Sequence, residues 1–375
     1  MASALDTMKA VAKEHGDKMI TVGVGLEQPE RIPTDIFEFD FASGGGIPHG
    51  RLTEIFGPES SCKTNIVLRA MANAQKMYPK AYIVFIDAEN AMDGKWMRVM
   101  GVDPERVIYI RPDYGEQVVG AVEKFLEADD VCMVVIDSTA HLVGMAELEQ
   151  DELKGMPGHA AQLVQKVVKR GVKAMQRADV NHQEGSRKLP PPAMVMINQI
   201  RHKIGVMYGS PETTPGGNSP KFAAGLRVRV YGKDVLDKKI SASVPARKEV
   251  NAVLVKWKVP VLTKNFAFEM NMLKAAGKVG DVNSWKTVEN LLKHYGFFWK
   301  DAKKGYWLNL DHPGSEKDAT SFDTIKDLRA IYDDNLEFRT TLHSDLIRAG
   351  FAELDGEWGE GYDPDEGQEE EELAA

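Results

Sequence analysis

Short apolar runs rich in β-branched residues recur along the first two thirds of the chain and alternate with amphipathic stretches. These runs are Leu52–Phe56, Tyr82–Ile86, Val107–Ile110, Val131–Ile136 and Met194–Ile197. Each run has the length and composition of a buried strand. Between them, hydrophobic residues recur at helical spacing, for example in Ile66–Met77 and Gly115–Ala128. Because strands that alternate with helices form parallel sheets covered on both faces, the pattern predicts an α/β fold.

The regions on either side of this alternating pattern differ from it. Residues 3–19 have the periodicity of a short amphipathic helix. Leu226–Val230 and Val253–Val259 alternate between apolar and polar residues, which predicts half-exposed, antiparallel strands. After about residue 275 the composition changes to helical stretches with Trp and Tyr. This change predicts a small separate C-terminal domain.

Composition places the 375-residue chain among ordinary soluble globular proteins, with 43% hydrophobic and 27% charged residues. It has no run of about 18 apolar residues that would span a membrane. The N-terminal segment has no apolar signal-peptide core, so the expected location is the cytoplasm. Cys62 and Cys132 are the only cysteines in the sequence, which excludes a disulfide framework and a four-cysteine zinc site.

The net charge of -9 is concentrated at one end of the chain. Residues 353–372 hold 11 acidic residues and no basic ones, a pattern typical of a disordered tail. The rest of the chain holds 45 acidic and 47 basic residues and is close to neutral. The overall charge therefore does not exclude a DNA-binding protein.

A candidate phosphate-binding turn, GPESSCKT at residues 57–64, lies between a predicted strand and an amphipathic helix. In such a P-loop, backbone N–H groups surround the phosphates, a lysine neutralises them and a threonine binds Mg²⁺. Lys63 and Thr64 occupy those two positions. Cys62 stands where the usual pattern has glycine, so its side chain could crowd the phosphates or require a shifted backbone. The alternative interpretation is a helix-capping loop.

Two carboxylates follow neighbouring predicted strands. Asp137 comes directly after the run that ends at Ile136, and Glu89 follows the run that ends at Ile86. A P-loop ATPase requires one carboxylate that organises Mg²⁺ and one that activates the attacking water. We assign Asp137 to the first role and Glu89 to the second. A single Asp after a strand could simply cap the next helix, but two such carboxylates beside a P-loop favour an ATPase.

Seven segments occur in an order that resembles the bacterial RecA recombinase family across roughly residues 5–272. They are GPESSCKT (57–64), FIDAENAMD (85–93), GVDPERV (101–107), PDYGEQ (112–117), VIDSTA (135–140), INQIRHKIGVMYGSPETTPGGNSPKFAA (197–224) and LVKWKV (254–259). The long segment from Ile197 is the most diagnostic, because general ATPases with the same core fold lack it. Cys62, Asn65 and the divergent C-terminal third resemble a phage-encoded relative of the UvsX kind.

The resemblance implies roles for individual residues. Those that would surround ATP are Gly57, Pro58, Glu59, Ser60, Ser61, Cys62, Lys63, Thr64, Asp93 and Trp96. Thr64 and Asp137 would bind Mg²⁺, and Glu89 would be the catalytic carboxylate, acting with Lys63. Gln199 would sense the γ-phosphate. Lys256 and Lys258 would reach ATP bound to the neighbouring protomer; without the family, a solvated strand face is the simpler interpretation of these two lysines.

Two segments without periodicity are candidate DNA-binding loops, Glu147–His159 and Ile200–Gly217. The candidate DNA contacts are Met156, Gly158, Arg201, His202, Lys203, Ile204, Val206, Met207, Gly216, Gly217 and Asn218. In the second loop, cationic groups would contact phosphates and Ile204 would wedge between unstacked bases. Such contacts do not depend on base identity. The first loop is acidic and shows no preference for DNA by itself.

The expected protein is an ATP- and Mg²⁺-dependent recombinase that forms helical filaments on single-stranded DNA and pairs that strand with homologous duplex DNA. Single-strand-binding and loader proteins are expected partners, in a bacterial cell or a phage-infected host. The expected fold is a RecA-like P-loop core with a mostly parallel sheet, an N-terminal helical segment and a small α+β C-terminal domain. Two alternatives remain open: a hexameric helicase-type motor, and a DNA-binding mediator whose P-loop Cys62 has disabled.

The predicted organisation has four parts. Residues 1–34 form an N-terminal oligomerisation helix and linker, and residues 35–272 form the ATPase core with both DNA loops. Residues 273–350 form the C-terminal domain, and residues 351–375 form the acidic tail. The amphipathic N-terminal helix would pack on the next subunit of a filament. The tail would compete with DNA for the basic loop, an effect that salt would screen.

Overall fold

The computed structural model describes residues 3–15, 28–145, 159–202, 212–241, 243–301, 305–317 and 319–354. Its strands, in chain order, are β1 (Arg31–Ile32), β2 (Ile47–Pro48), β3 (Leu52–Gly57), β4 (Tyr82–Asp87), β5 (Val107–Ile110), β6 (Val131–Asp137), β7 (Ala193–Gln199), β8 (Arg201–His202), β9 (Glu212–Thr213), β10 (Leu226–Val235), β11 (Arg247–Trp257), β12 (Asn265–Asn271), β13 (Phe298–Asp301), β14 (Gly305–Leu308) and β15 (Thr320–Phe322).

The helices of the described residues flank these strands. They are α1 (Ala4–His15), α2 (Phe37–Ala42), α3 (Lys63–Met77), α4 (Gly94–Val99), α5 (Gly115–Glu127), α6 (His159–Gln183), α7 (Ser219–Ala223), α8 (Trp285–His294), α9 (Ile325–Asp334) and α10 (Leu336–Leu354), with short 3-10 turns at Pro104–Arg106, Thr139–His141 and Lys274–Ala276. Within the described residues, no helix combines the length and the apolar character needed to cross a membrane.

An eight-stranded sheet forms the centre of the molecule, in the order β12-β11-β10-β3-β7-β6-β4-β5. All neighbours from β10 to β5 are parallel, whereas β10–β11 and β11–β12 are antiparallel. Every residue of β6 is buried, which explains its continuous apolar sequence. The predicted mostly parallel sheet is therefore confirmed.

The predicted antiparallel strand at Leu226–Val230 is confirmed by its pairing with β11, but the prediction that this strand is half-exposed was wrong. This part of β10 is parallel to β3 on one side and antiparallel to β11 on the other, so it lies inside the sheet. Four of its five residues are buried rather than half-exposed. Arg227 is buried because its guanidinium forms an ion pair with Glu54 of β3, whose side chain is fully buried. A local sequence pattern cannot reveal this partner, because Glu54 lies 173 positions earlier.

Two hydrophobic clusters cover the two faces of the sheet. Ile66, Leu68 and Met71 of α3 pack against one face, and residues of α5 and α6 such as Val122 and Val167 pack against the other. All five are fully buried. Burying a side chain of this size contributes about 1.5–3 kcal/mol relative to leaving it exposed. These clusters hold the carboxyl ends of the parallel strands in fixed positions.

The C-terminal part combines the three-stranded antiparallel sheet β13-β14-β15 with α8, α9 and α10, as the predicted α+β class requires. Its hydrophobic cluster also includes Phe37 and Phe41 of α2. The buried carboxylate of Glu38 accepts hydrogen bonds from Ser284 Oγ at 2.8 Å and Thr287 Oγ1 at 2.9 Å. Burial raises the pKa of Glu38. The C-terminal part is thus docked on α2, and the four-part domain division stays a prediction.

The N-terminal helix is observed as α1, and its Leu5 is 61% exposed. The predicted range of 3–19 extends beyond it into residues 16–27, which lie outside the described part of the chain. Most of the acidic tail, residues 355–375, also lies outside it.

Candidate nucleotide-binding site

The carboxyl ends of four parallel strands meet along one edge of the central sheet. Gly57 of β3 pairs with Gln199 of β7, and Asp87 of β4 pairs with Asp137 of β6. Because β6 and β7 are neighbours, the four ends form a continuous edge. In open α/β sheets, ligands bind in the crevice outside this edge.

The predicted phosphate-binding turn joins β3 to α3. A side chain at Gly57 would place its Cβ 2.0 Å from the carbonyl oxygen of Val230, so only glycine fits there. Ser60 and Cys62 both adopt left-handed backbone conformations, with φ of 57° and 68°. Position 62 therefore keeps the left-handed backbone conformation that glycine usually adopts, although the residue there is cysteine.

Cys62 belongs to the hydrophobic cluster against α3 and is 8% exposed. Burial raises the pKa of its thiol to about 11. The side chain is therefore an uncharged thiol at neutral pH and does not repel phosphates electrostatically. The remaining cost is the left-handed backbone, about 1–2 kcal/mol for a residue other than glycine.

We expect Cys62→Gly to leave the affinity for ATP within about threefold of the parent, a change below ~1 kcal/mol. We expect Cys62→Val to weaken it at least tenfold, because a β-branched side chain resists a positive φ. Isothermal titration with a non-hydrolysable ATP analogue measures both. An affinity at least tenfold higher in Cys62→Gly would show instead that the thiol crowds the phosphates.

Lys63 begins α3 and is 8% exposed. Its Nζ donates hydrogen bonds to the carbonyl oxygens of Gly57 (3.2 Å) and Pro58. Burial lowers the pKa of Lys63, while Asp137 and Glu89 oppose that shift. Lys63 is thus a buried cation held at the turn by carbonyl groups that a phosphate could replace.

Thr64 and Asp137 lie side by side. Thr64 Oγ1 donates a hydrogen bond of 2.8 Å to Asp137 Oδ2. Burial raises the pKa of Asp137 to about 6, so a bound cation would stabilise its charged form. Two oxygen ligands suit Mg²⁺, which usually takes one or two carboxylates and completes its shell with water and substrate phosphates. Within the described ranges, no cluster of three or more His, Cys, Asp or Glu side chains could hold a metal by itself.

Glu89 lies just beyond β4, and its carboxylate is 32% exposed. Gln199 Nε2 donates a hydrogen bond of 2.8 Å to Glu89 Oε1. The loop that carries Glu89 is held by Asp87, whose carboxylate accepts from the backbone N–H groups of Glu89 (3.1 Å) and Met92 (2.9 Å) and from the hydroxyl of Tyr109. A carboxylate in this position can accept a proton from water.

A cleft of about 620 Å³ connects these groups. It is lined by Glu59, Ser60, Ser61, Cys62, Lys63, Thr64, Asn65, Glu89, Ala91, Trp96, Asp137, Ser138, Ile197, Gln199, Lys248 and Met272. This volume lies within the usual range of small-molecule sites, about 300–1,000 Å³. Of the predicted ATP-binding residues, Gly57, Pro58 and Asp93 do not line it.

The two predicted adenine contacts separate in the structure. Trp96 lines the cleft, and its Nε1 donates to Asn65 Oδ1 at 3.0 Å. Asp93 instead caps α4, where its carboxylate accepts from the backbone N–H of Lys95 at 2.7 Å. Capping occupies one oxygen of Asp93. An adenine contact by Asp93 stays a prediction.

Lys256 and Lys258 lie away from this cleft. Both Nζ atoms donate to the carbonyl oxygen of Phe222, at 2.8 Å and 3.0 Å, near the C-terminal end of α7. Lys256 also donates to the carbonyl of Lys221. Burial and the neighbouring charges of Lys258 and Arg227 lower the pKa of Lys256. The two ammonium groups therefore form a cationic surface outside the lining of the nucleotide cleft of their own chain.

The predicted DNA loops fall mostly outside the described residues. Met156, Gly158, Lys203, Ile204, Val206 and Met207 all lie there, as does the side chain of His202. The two ends of the second loop are described, and they pair as the antiparallel strands β8 and β9. This part of Ile200–Gly217 is therefore regular, although its sequence predicts only a loop.

The return of the second loop to the core is held by specific contacts. Asn198 Nδ2 donates to the carbonyl oxygen of Pro215 at 3.0 Å. Gly216 and Gly217 have φ of 95° and 67°, and a Cβ at Gly216 would lie 2.5 Å from Val164. Asn218 begins α7 as its N-cap residue. Arg201, at the other end, is exposed and available to a ligand such as a DNA phosphate.

Several residues of the site were not predicted. Lys248 of β11 lines the cleft and donates a hydrogen bond of 2.6 Å to the carbonyl oxygen of Ser60, 188 positions earlier. The sequence around Lys248 contains no local motif that would predict a cation in the nucleotide cleft. Met272 and Asn65 also line the cleft. His141 lies beside Glu89, with 3.4 Å between Nδ1 and Oε1, and its position after a strand could have suggested it.

Comparison with known proteins places this site in a family. Residues 3–275 match the family described as the RecA N-terminal domain. Protein RecA of Acholeplasma laidlawii is 32% identical over 322 residues, which cover 85% of this chain and 88% of that protein. Protein RecA of Caulobacter vibrioides is 34% identical over 301 residues, which cover 73% of this chain and 78% of that protein.

A relative with higher identity matches a shorter part. Protein RecA of Aquifex aeolicus is 43% identical over 204 residues, which cover 54% of this chain. The chain spans just over half the length of that relative, 55%. The family model covers the turn at Gly57–Thr64 and both carboxylates.

Proposed function

The chain belongs to the RecA family, and from this premise we propose that it is an ATP-dependent recombinase that forms filaments on single-stranded DNA and exchanges strands with homologous duplex DNA. Its fold is the RecA-like α/β fold. The observation that carries the proposal is the hydrogen bond between Gln199 and Glu89. It joins the residue placed to activate water to the strand that leads into the predicted DNA loop.

Hydrolysis follows from the positions of the side chains around the cleft. Lys63 neutralises phosphate oxygens once it exchanges its carbonyl partners for them. Thr64 and Asp137 would hold Mg²⁺, which when bound neutralises charge on the phosphates. Glu89 accepts the proton of the attacking water, and Gln199 fixes the orientation of its carboxylate.

Strand β7 couples DNA binding to ATP hydrolysis in this proposal. Gln199 ends β7, and Arg201 begins the short strand at the base of the loop two residues later. Contact of Arg201 with a DNA phosphate would shift the end of β7 and with it the Gln199–Glu89 contact. Hydrolysis would in turn weaken the hold on DNA and permit turnover. Homology is recognised by base pairing, since the loop contacts do not depend on base identity.

The filament brings the cationic surface of one protomer to the cleft of the next. Lys256 and Lys258 do not line their own cleft, which supports a role at the cleft of a neighbouring subunit. A head-to-tail interface repeats without closing and builds a helical filament. The exposed helix α1 supports such an interface, because its apolar residue Leu5 is largely uncovered.

We expect Lys258→Met to lower the DNA-stimulated kcat for ATP about 10- to 100-fold, the contribution of a charged contact worth ~1.5–3 kcal/mol. The exposed Lys264→Met serves as the control. Mixing Lys258→Met with Glu89→Gln should restore roughly a quarter of the parent rate, because a quarter of the interfaces then combine an intact lysine with an intact glutamate. Absence of recovery in the mixture would contradict action across subunits.

The experiment that tests the proposed function measures ATP hydrolysis with and without single-stranded DNA, together with electron microscopy of the same samples. We expect stimulation by DNA and helical filaments in the presence of ATP. Hexameric rings that unwind duplexes without pairing strands would support the helicase-type motor. DNA binding without any ATP hydrolysis would support the mediator with a disabled P-loop.

Three finer proposals accompany this function. Cys62 and the C-terminal third depart from the family pattern, which supports a phage-encoded member that acts in the cytoplasm of a bacterial host. Single-strand-binding and loader proteins are proposed partners.

The acidic residues after Glu353 are proposed to compete with DNA. A chain ending at Leu354, the last residue of α10, should then bind DNA faster at low salt, and equal rates would exclude that competition.

A further inference from the structure

A histidine lies beside the proposed general base. His141 Nδ1 is 3.4 Å from Glu89 Oε1, the same oxygen that accepts the hydrogen bond from Gln199 at 2.8 Å. The side chain of His141 is 42% exposed and that of Glu89 is 32% exposed, so neither lies in the core. Gln199 thus donates to this carboxylate oxygen, and the imidazole of His141 lies within ion-pair distance of the same oxygen.

The ring of His141 is held in place by a second contact. Ser138 Oγ lies 2.9 Å from the same Nδ1 atom. Ser138 follows Asp137 directly and lines the nucleotide cleft. Both described side-chain contacts of His141 thus involve Nδ1, so an Nδ1–H is shared between Ser138 Oγ and Glu89 Oε1. The contacts of His141 therefore define the position of Nδ1.

The turn that carries His141 also contacts the base of the predicted DNA loop. His141 ends the 3-10 turn Thr139–His141, which follows β6. Arg201, at the start of the second DNA loop, donates to the carbonyl oxygen of Ala140 in this turn at 3.5 Å. A movement of Arg201 toward a DNA phosphate would release this carbonyl. His141 is therefore connected to the DNA loop by a path separate from Gln199.

We propose that His141 is a positioning residue for Glu89, which it orients through Nδ1 as the partner of Gln199. The inference rests on the proposed ATPase function and deepens it. Gln199 and His141 both contact Oε1, which restricts the orientation of the Glu89 carboxylate. Contacts of catalytic groups commonly tighten when substrate binds, so a separation of 3.4 Å is short enough for this role.

Three substitutions at one position test the inference. Asparagine places an amide near the position of Nδ1 and can donate from it, glutamine places its amide near Nε2, and alanine has neither group. We expect His141→Ala and His141→Gln to lower the DNA-stimulated kcat about three- to tenfold, the factor that corresponds to one net hydrogen bond. We expect His141→Asn to stay within about twofold of the parent, and the KM for ATP to stay unchanged in all three.

A matched control is available in the C-terminal part. His294 lies 3.2 Å from Glu353, a histidine–glutamate pair away from the cleft. His294→Ala should leave kcat unchanged, and thermal midpoints show that all variants fold. A kcat of His141→Ala equal to the parent, rescue by glutamine as complete as by asparagine, or a rise in KM would each overturn the inference while the ATPase stands. A parent chain without DNA-stimulated hydrolysis would overturn the proposed function and the inference together.

Discussion

Replacing Glu89 with glutamine is expected to reduce the kcat of DNA-stimulated ATP hydrolysis by about 10²- to 10⁴-fold, the usual contribution of a general base. Glutamine keeps the shape of the side chain and an oxygen that can accept from Gln199 Nε2, but it cannot accept a proton from water. Nucleotide binding depends on Lys63, Thr64 and the turn, which the change does not touch. The variant should therefore still form filaments on single-stranded DNA with ATP.

Steady-state hydrolysis and electron microscopy of the same preparation measure both parts of this prediction. Glu105→Gln is a suitable control, because Glu105 is exposed on a neighbouring 3-10 turn. A variant that keeps more than about a tenth of the parent rate would remove Glu89 from the role of base. Loss of filaments together with hydrolysis would show that Glu89 is needed for assembly or folding instead.

Replacing Arg227 with methionine is expected to lower the free energy of unfolding by about 3–5 kcal/mol, the usual cost of leaving one partner of a buried ion pair alone. Glu54 is fully buried and pairs with the guanidinium of Arg227, which is itself 8% exposed. Without Arg227, the side-chain donor that remains to Glu54 is Asn198 Nδ2 at 3.0 Å. Because Asn198 also holds Pro215 at the return of the DNA loop, stimulation by DNA should fall as well.

Urea-induced unfolding, followed by circular dichroism, measures the stability change. Lys233→Met is the matched control, since Lys233 is exposed on the same strand and should change stability by less than ~0.5 kcal/mol. The double variant Glu54→Gln/Arg227→Met should recover part of the loss, because it leaves no unpaired buried charge. An Arg227→Met variant as stable as Lys233→Met would mean that the ion pair does not stabilise β10 against β3.

Much of the fold could be predicted because its signal is local. The buried parallel strands are continuous apolar runs, and the observed β4, β5 and β6 differ from the predicted ranges by one residue or none. The phosphate-binding turn and the two carboxylates follow these strands, so a prediction of the strands also places the site. Three features of the same sheet edge could therefore be assigned from the sequence.

The remaining features depend on partners distant in the sequence. Arg227 occupies a polar position of an alternating strand and is therefore predicted to face solvent, but its ion pair with Glu54 keeps it buried. Lys248 reaches the cleft because β10 and β11 pack beneath the phosphate-binding turn. Gly232 permits this close packing, since a Cβ at that position would lie 2.7 Å from Ser61 Cα. Asp93 has a local partner instead. The backbone N–H of Lys95 donates to its carboxylate, which the family resemblance assigns to adenine.

The most direct test of the central claim is the formation of joint molecules between circular single-stranded DNA and linear duplex DNA, measured with ATP and without any other recombinase. We expect joint molecules with homologous duplex, none with heterologous duplex, and none when ATP is left out. Hydrolysis of ATP on single-stranded DNA without homology-dependent pairing would contradict the account, because the chain would then be a DNA-stimulated ATPase that does not exchange strands.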